Sequence, residues 1–447
     1  MKSSIVATLS LILFLGSCSK DKMPSSTDLD NQLRQNIRNA SPDGTLEYYI
    51  LPNEKDLSAI PQEPKNPLTE VKVKLGNMLY FETGLANKAL FPESNGTYSC
   101  STCHIAEAGF KPGLYQGIAD GGLGIGIRGE GRYINSNLYS EAELDVQSNR
   151  PLTMVNVGFV KATMWNGSFG AGGVNEGTEA VWNDEDGTIN NNTGMLGIEA
   201  QNMEGVHTHR MDCDEELLTQ LGYKEMFDEA FPEIPVEKRY TIETASLAMS
   251  AYIRTILSTK APFQDWLKGD NFAMSNDEIQ GGILYFGKAQ CYQCHFEPNL
   301  GSQEFHRLGA KDMYERSSFN AFPTDKRNLG RGGFTLNPAD NYKFKVPGIY
   351  NVGDTEFFFH GASKTSLRDV IEYKNLAISE NINVPTDSLS SKFRPLGLTE
   401  TEKEQLLKFL NISLRDPDLV RYKPSSIFSG NCFPNNDFIS QMESGCN

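Results

Sequence analysis

Two short runs decide what this chain can fold around. Cys100-Ser101-Thr102-Cys103-His104 and Cys291-Tyr292-Gln293-Cys294-His295 both read Cys-x-x-Cys-His. In that spacing two thiols form thioethers to the vinyl groups of one haem, and the adjacent His reaches its iron. A four-cysteine zinc site would place its pairs closer in sequence than the roughly 190 residues seen here and needs no adjacent His. A redox dithiol belongs in a βαβ context, and none is visible. The chain is therefore expected to hold two covalent haem c groups. Cys100, Cys103, Cys291 and Cys294 are the attachment points, and His104 and His295 the iron ligands.

Similar text precedes both motifs. Leu75-Gly76-Asn77-Met78-Leu79-Tyr80-Phe81 leads to the first, and Gly281-Gly282-Ile283-Leu284-Tyr285-Phe286 to the second. Each reads as a short helix ending before the haem loop. This weak repeat implies duplication: a mainly α protein of two cytochrome c-like domains with long loops, each carrying one haem. The spacing of Ala245, Leu247, Ala248, Ala251, Tyr252 and Thr255 predicts a long helix over 241–268 that Pro262 closes. The expected division is 46–260 and 261–425, with a tail at 426–447.

The N-terminus reads as an address. Met1-Lys2, an apolar stretch from Ile5 to Leu15 and then Leu15-Gly16-Ser17-Cys18 form an export signal over 1–17. Cys after small residues is similar to a bacterial lipoprotein signal, with Cys18 acylated as the anchor. Ser19 at the next position implies sorting to the outer membrane. Residues 18–45 are polar and read as a flexible tether. The compartment is then exported and oxidising. In such a compartment Cys432 and Cys446 would staple the tail and leave Cys213 over, although spacing alone does not fix the pairing. A formal charge of −16 excludes a general nucleic-acid binder, since no basic surplus faces phosphate.

Further text carries a family resemblance. Arg150-Pro151-Leu152-Thr153-Met154-Val155-Asn156, Trp165-Asn166-Gly167, Ile198-Glu199-Ala200-Gln201, Ala248 to Thr255, Phe305-His306-Arg307-Leu308-Gly309, Phe344-Lys345-Val346-Pro347, Phe358-Phe359-His360-Gly361 and Leu396 to Thr399 stand in order along the chain. Over about residues 70–415 the chain resembles the bacterial di-haem cytochrome c peroxidases, including the methylamine-utilisation oxidase branch. The resemblance implies reduction of hydrogen peroxide to water in the periplasm. A small cytochrome c or copper protein would supply electrons, relayed from the C-terminal to the N-terminal haem. Two alternatives stay open: oxidation of a protein or organic substrate, and a non-enzymatic electron-transfer cytochrome. Family members also pair, so a homodimer is among the implied partners.

The same resemblance assigns residues. Trp165 matches the tryptophan between the haems. No His lies between Ile105 and Met164, so no loop His caps the first iron. The Gly-rich run 109–131 is expected to be a loop able to move. The family's distal Glu is missing, and His209, Glu204 and Arg210 are the candidates to replace it. The usual Met ligand of the second haem is missing too, and Tyr373 is preferred over Lys374 for that place. His306 and His360 are expected to support haem propionates. Asn149 is the candidate calcium ligand, with carbonyls near Lys345 and Pro347. Trp182 and Trp266 match no motif and are expected to pack. The insertion 170–194 is expected to be a solvated loop.

Overall fold

A computed structural model describes residues 26–446, so the export signal and Cys18 lie outside the described residues. The chain is helical with many single 3₁₀ turns, and each of its two sheets is a pair of two-residue strands. Among the described residues no helix is long and apolar enough to cross a membrane.

Within the stretch expected to be a tether, Ser26–Ala40 form a helix, α1. Leu29, Leu33 and Ile37 recur at helical spacing and are buried. The polar composition hid three apolar residues that share one face.

The repeat is real in three dimensions. Helix α2 (Glu70–Phe81) is capped by Thr69, whose side chain accepts from Lys72 N. It crosses α4 (Ile242–Arg254), which follows α3 (Gly197–Thr208) and three shorter helices. In the second half α6 (Asn276–Tyr285), capped by Ser275, crosses α7 (Glu400–Lys408). Both crossings are set by one glycine. A Cβ on Gly76 would lie 1.8 Å from Ala248 O, and one on Gly281 would lie 2.1 Å from Gln405 O. No side chain fits there, so the backbones meet directly.

The long helix expected over 241–268 is two. α4 stops at Arg254, and Pro262 opens rather than closes the next helix, α5 (Pro262–Leu267). Pro at the first helical turn lacks only an N–H that would have no intrahelical partner.

The two ends of the chain cross over. α1 lies on the second half: Asn36 Nδ2 donates to Ile283 O at 3.2 Å, and Trp266 Nε1 to Asp30 at 2.6 Å. Tyr49 packs edge-on against Phe286 of the second half. The tail lies on the first half. Ser99 Oγ donates to Pro434 O at 2.9 Å and Arg132 pairs with Asp437 at 3.4 Å. The amides of Ile125 and Gly126 donate to Glu443, at 2.6 and 2.9 Å. The Gly-rich run is thus pinned by the tail. Cys432 and Cys446 form a disulfide and Cys213 is buried and free.

The insertion is largely exposed, as a solvated loop would be, but it is also anchored. Asn175 and Asn191 are fully buried, and Arg331 of the second half donates to Gly167 O, Asn175 Oδ1 and Val174 O at 3.1, 2.8 and 2.5 Å. It is a clasp between the halves.

Candidate functional site

Each Cys-x-x-Cys-His run is a 3₁₀ turn after α2 or α6. The two histidines are held alike. His104 Nδ1 faces Phe110 O at 3.1 Å, and His295 Nδ1 faces Leu300 O at 2.8 Å. A carbonyl only accepts, so each Nδ1 carries the proton and Nε2 keeps its lone pair for a metal. Tyr80 OH donates to His104 O at 3.2 Å and Tyr285 OH to His295 O at 3.0 Å, which repeats the support from the helix before each motif.

The surroundings fit a haem in each half. Arg150 and Lys345 are buried with no carboxylate bonded to them, and Lys111 donates only to Asn351 O, at 3.0 Å. Burial pulls Lys111 down to about 7, Arg150 to about 9 and Lys345 to about 8. Arg150 Nε is buried without a partner. Buried cations left so poorly matched call for anions, and haem propionates are carboxylates of the right kind. Space at the thiols fits too, since a Cβ on Gly117 would lie 2.4 Å from Cys103 Sγ.

Trp165 and His360 meet where the halves face each other. Both follow residues of positive φ, Met164 at 69° and Phe359 at 66°. Their ring centroids are 6.2 Å apart and nearly perpendicular. Trp165 Nε1 donates to Arg150 O at 2.7 Å, and Arg150 N donates to His360 O at 2.8 Å. His360 stacks on Phe344 at 3.6 Å and its Nε2 faces Asp312 at 2.8 Å. It is therefore tied into the wall between the halves. His306 is also engaged at both nitrogens, by Glu304 at 2.8 Å and Ser390 at 3.0 Å. Trp182 stays within the insertion and Trp266 packs on Phe263.

The three distal candidates separate. Arg210 is paired with Asp120 and donates to Glu143 O at 3.1 Å, so its guanidinium is spent on the loop. Glu204 accepts from Thr208 at 2.8 Å and faces the insertion at Asn190 and Gly187. His209 is different. Its Nδ1 meets Asp145 Oδ2 at 2.8 Å, its Nε2 has no hydrogen bond, and its charge is felt at His104. Burial would pull this imidazole down, but the Asp145 carboxylate overrides it by charge and hydrogen bond and holds the pKa above its ordinary value. Nothing in the sequence marks Asp145, which sits in an unremarkable loop 64 residues away.

In the second half Tyr373, the ligand preferred from sequence, is engaged by the protein. Tyr373 OH donates to Leu308 O at 2.7 Å and its ring packs between Phe359 and Phe393. The phenol is buried in a protein contact, where burial raises its pKa further. Lys374, one residue on, has its charge felt at Cys291, Cys294 and His295. Asn149 Oδ1 is buried without a partner.

Known proteins are similar to this chain. The family described as di-haem cytochrome c peroxidase matches residues 70–272. The chain is 26% identical over 382 residues to the cytochrome-c peroxidase IdrP1 of Denitromonas iodatirespirans, covering 81% of this chain and 86% of the relative. It is 26% identical over 366 residues to the methylamine utilization protein MauG of Methylorubrum extorquens, covering 81% and 83%. A solved MauG-like protein associated with microbial copper homeostasis shares the fold at a TM-score of 0.57 and 22% identity, covering 83% of this chain and 95% of that one.

Proposed function

From the premise that the chain belongs to the di-haem cytochrome c peroxidase family, we propose that it reduces hydrogen peroxide to water at the N-terminal haem. Cys100 and Cys103 would hold that haem and His104 would ligate its iron; Cys291, Cys294 and His295 would do the same for the C-terminal one. When bound, the haems would supply the electron exchange with peroxide.

The observation that carries the reading is the His209–Asp145 pair, with no hydrogen bond at Nε2 and a charge felt at His104. His209 takes the proton from the attacking peroxide oxygen and gives it back to the departing one. Asp145 positions the ring and fixes which nitrogen is free. Two electrons and two protons turn one peroxide into two waters. A small cytochrome c or copper protein would supply the electrons singly at the C-terminal half, and the Trp165–His360 contact lies between the halves they would cross. His306, His360 and the buried cations Lys111, Arg150 and Lys345 steady the propionates. Calcium at Asn149 is part of the same proposal, supported by an oxygen that lacks any partner. So are export to the periplasm, a lipid on Cys18, an outer-membrane address and a homodimer.

The test is peroxide turnover with reduced cytochrome c by the full-length holoprotein. His209→Ala is expected to lower the rate about 10²- to 10⁴-fold, the range of a lost acid-base group. An unchanged rate overturns the distal assignment. One observation favours a second reading, oxidation of a protein or organic substrate: the MauG relative matches as well as the peroxidase does. Peroxide consumed without oxidation of the reduced cytochrome would select it.

A further inference from the structure

We propose that Arg132 is the positioning residue of the His209–Asp145 pair and that the disulfide-closed tail holds Arg132 in place, so that the pair answers to the redox state of Cys432–Cys446. Asp145 hangs on the Gly-rich run by its backbone. Ala119 N donates to Asp145 O at 3.0 Å, and Asp145 N to Asp120 O at 3.1 Å. Arg132 clamps the same strip. Its Nε donates to Ile118 O at 2.8 Å, its Nη2 to Ala119 O at 2.7 Å and its Nη1 to Gly124 O at 3.2 Å. The run leaves room for this side chain alone: a Cβ on Gly122 would lie 2.5 Å from Arg132 Nε.

Arg132 is buried, and the carboxylate that pairs with it is Asp437 of the tail, at 3.4 Å. A buried guanidinium that loses its counter-charge is costly to keep where it is. Asp437 lies inside the ring closed by Cys432–Cys446. It accepts from Gly124 N and Ser440 N, each at 3.0 Å, and from Ser440 Oγ at 2.6 Å. The tail has little core of its own. Its one short helix, Phe438–Ser444, leaves Phe438 and Met442 exposed. Docking therefore depends on polar contacts and on the ring, which limits how far an undocked tail can wander.

Cys432 is buried, whereas Cys446 is half-buried with Ser444 and Gly445 exposed beside it, so a thiolate approaches from the Cys446 side. A dithiol opens the bond: its two thiols close into a disulfide as Cys432 and Cys446 become thiols, and two electrons and two protons pass over. The freed tail takes Asp437 from Arg132, and Asp145 loses the strip that sets it against His209. The effect on turnover rests on the role proposed above for His209–Asp145, whereas the loosening of the pair does not.

The test compares the oxidised full-length holoprotein with the same protein treated with dithiothreitol, alkylated with iodoacetamide and freed of both reagents. The double variant Cys432→Ser, Cys446→Ser gives the open tail without reagents. Hydrogen exchange at the amides of residues 119 and 145 is expected to rise about tenfold or more in both. Peroxide turnover is expected to fall, by up to about 10²-fold, the loss that a misplacement of about 1 Å brings. Reoxidation of unalkylated protein should restore both readings. Asp437→Asn should act like reduction, Asp437→Glu should preserve the oxidised behaviour, and reduction should add nothing to Asp437→Asn, because both act at Arg132. Exchange that rises only over 431–446, or nowhere, overturns the proposal, as does a further rise on reducing Asp437→Asn. Loosened amides with turnover unchanged would sink the role given to His209–Asp145 and leave the positioning by Arg132 standing.

Discussion

Asp145 touches no reacting atom; it acts through His209. Its effect should therefore appear in a pH profile and not only in a rate. Peroxide turnover needs the unprotonated imidazole, so the rate falls as pH drops through the His209 pKa, which Asp145 holds above its ordinary value. The stability contribution runs the opposite way: a raised native pKa stabilises the fold at low pH and fades as pH rises through that value. Asp145→Asn removes the charge and lets burial pull the imidazole down. The acidic limb of the turnover profile is then expected to move to lower pH while the plateau changes less. An acidic limb that stays where it was would detach Asp145 from His209. At this scale the sequence exposed some residues and hid others for physical reasons. Cys, Cys and His at fixed spacing are local chemistry, and the two runs form the same 3₁₀ turn with the same histidine contact to a backbone carbonyl. Asp145 and His209 are joined only by tertiary folding. Tyr373 and Lys374 are neighbours in sequence, and only the fold reveals that the phenol of Tyr373 donates to Leu308 O.

The crossing helices are an element made twice from one recipe. Gly76 and Gly281 each bring a helix against a carbonyl of its partner, at distances no Cβ can share. Alanine normally favours a helix over glycine by about 1 kcal/mol. Here overpacking should win, at about 1–3 kcal/mol. Gly76→Ala and Gly281→Ala are each expected to lower the denaturation midpoint, read by chemical unfolding of the holoprotein. A rise in either midpoint would show that its crossing relaxes freely. The helices before each motif were legible because their apolar spacing is local. The end of α4 was not, since the apolar spacing runs on past Arg254 while the chain turns away to join the halves. Pro262 marked a boundary correctly and its side wrongly, because proline suits the first turn of a helix as well as the residue after one.

At the scale of the molecule, the ends of the chain are exchanged: α1 braces the second half and the tail braces the first. Composition could not reveal this, because which half an end lies on is decided by long-range packing. The consequence is that damage at one end should be felt at the far side of the sequence. Removing residues 26–45 strips Leu29, Leu33 and Ile37 from the face of α6 and takes Asp30 from the Trp266 indole. Each buried aliphatic side chain is worth roughly 1.5–3 kcal/mol. Hydrogen exchange is then expected to rise over 262–286 and stay near wild type over 70–104. Removing residues 431–447 takes away the Pro434 and Asn435 contacts to the first haem turn. It also leaves Arg132 buried without Asp437, a loss of about 3–5 kcal/mol for a broken buried pair. Exchange should then rise over 99–134 and leave 276–295 unmoved. The opposite pattern, with each truncation loosening the half nearer to it in sequence, would mean that the termini do not brace the halves they touch. If the crossed pattern holds, neither haem half is a separable piece: each needs a segment supplied from beyond the other's end of the chain.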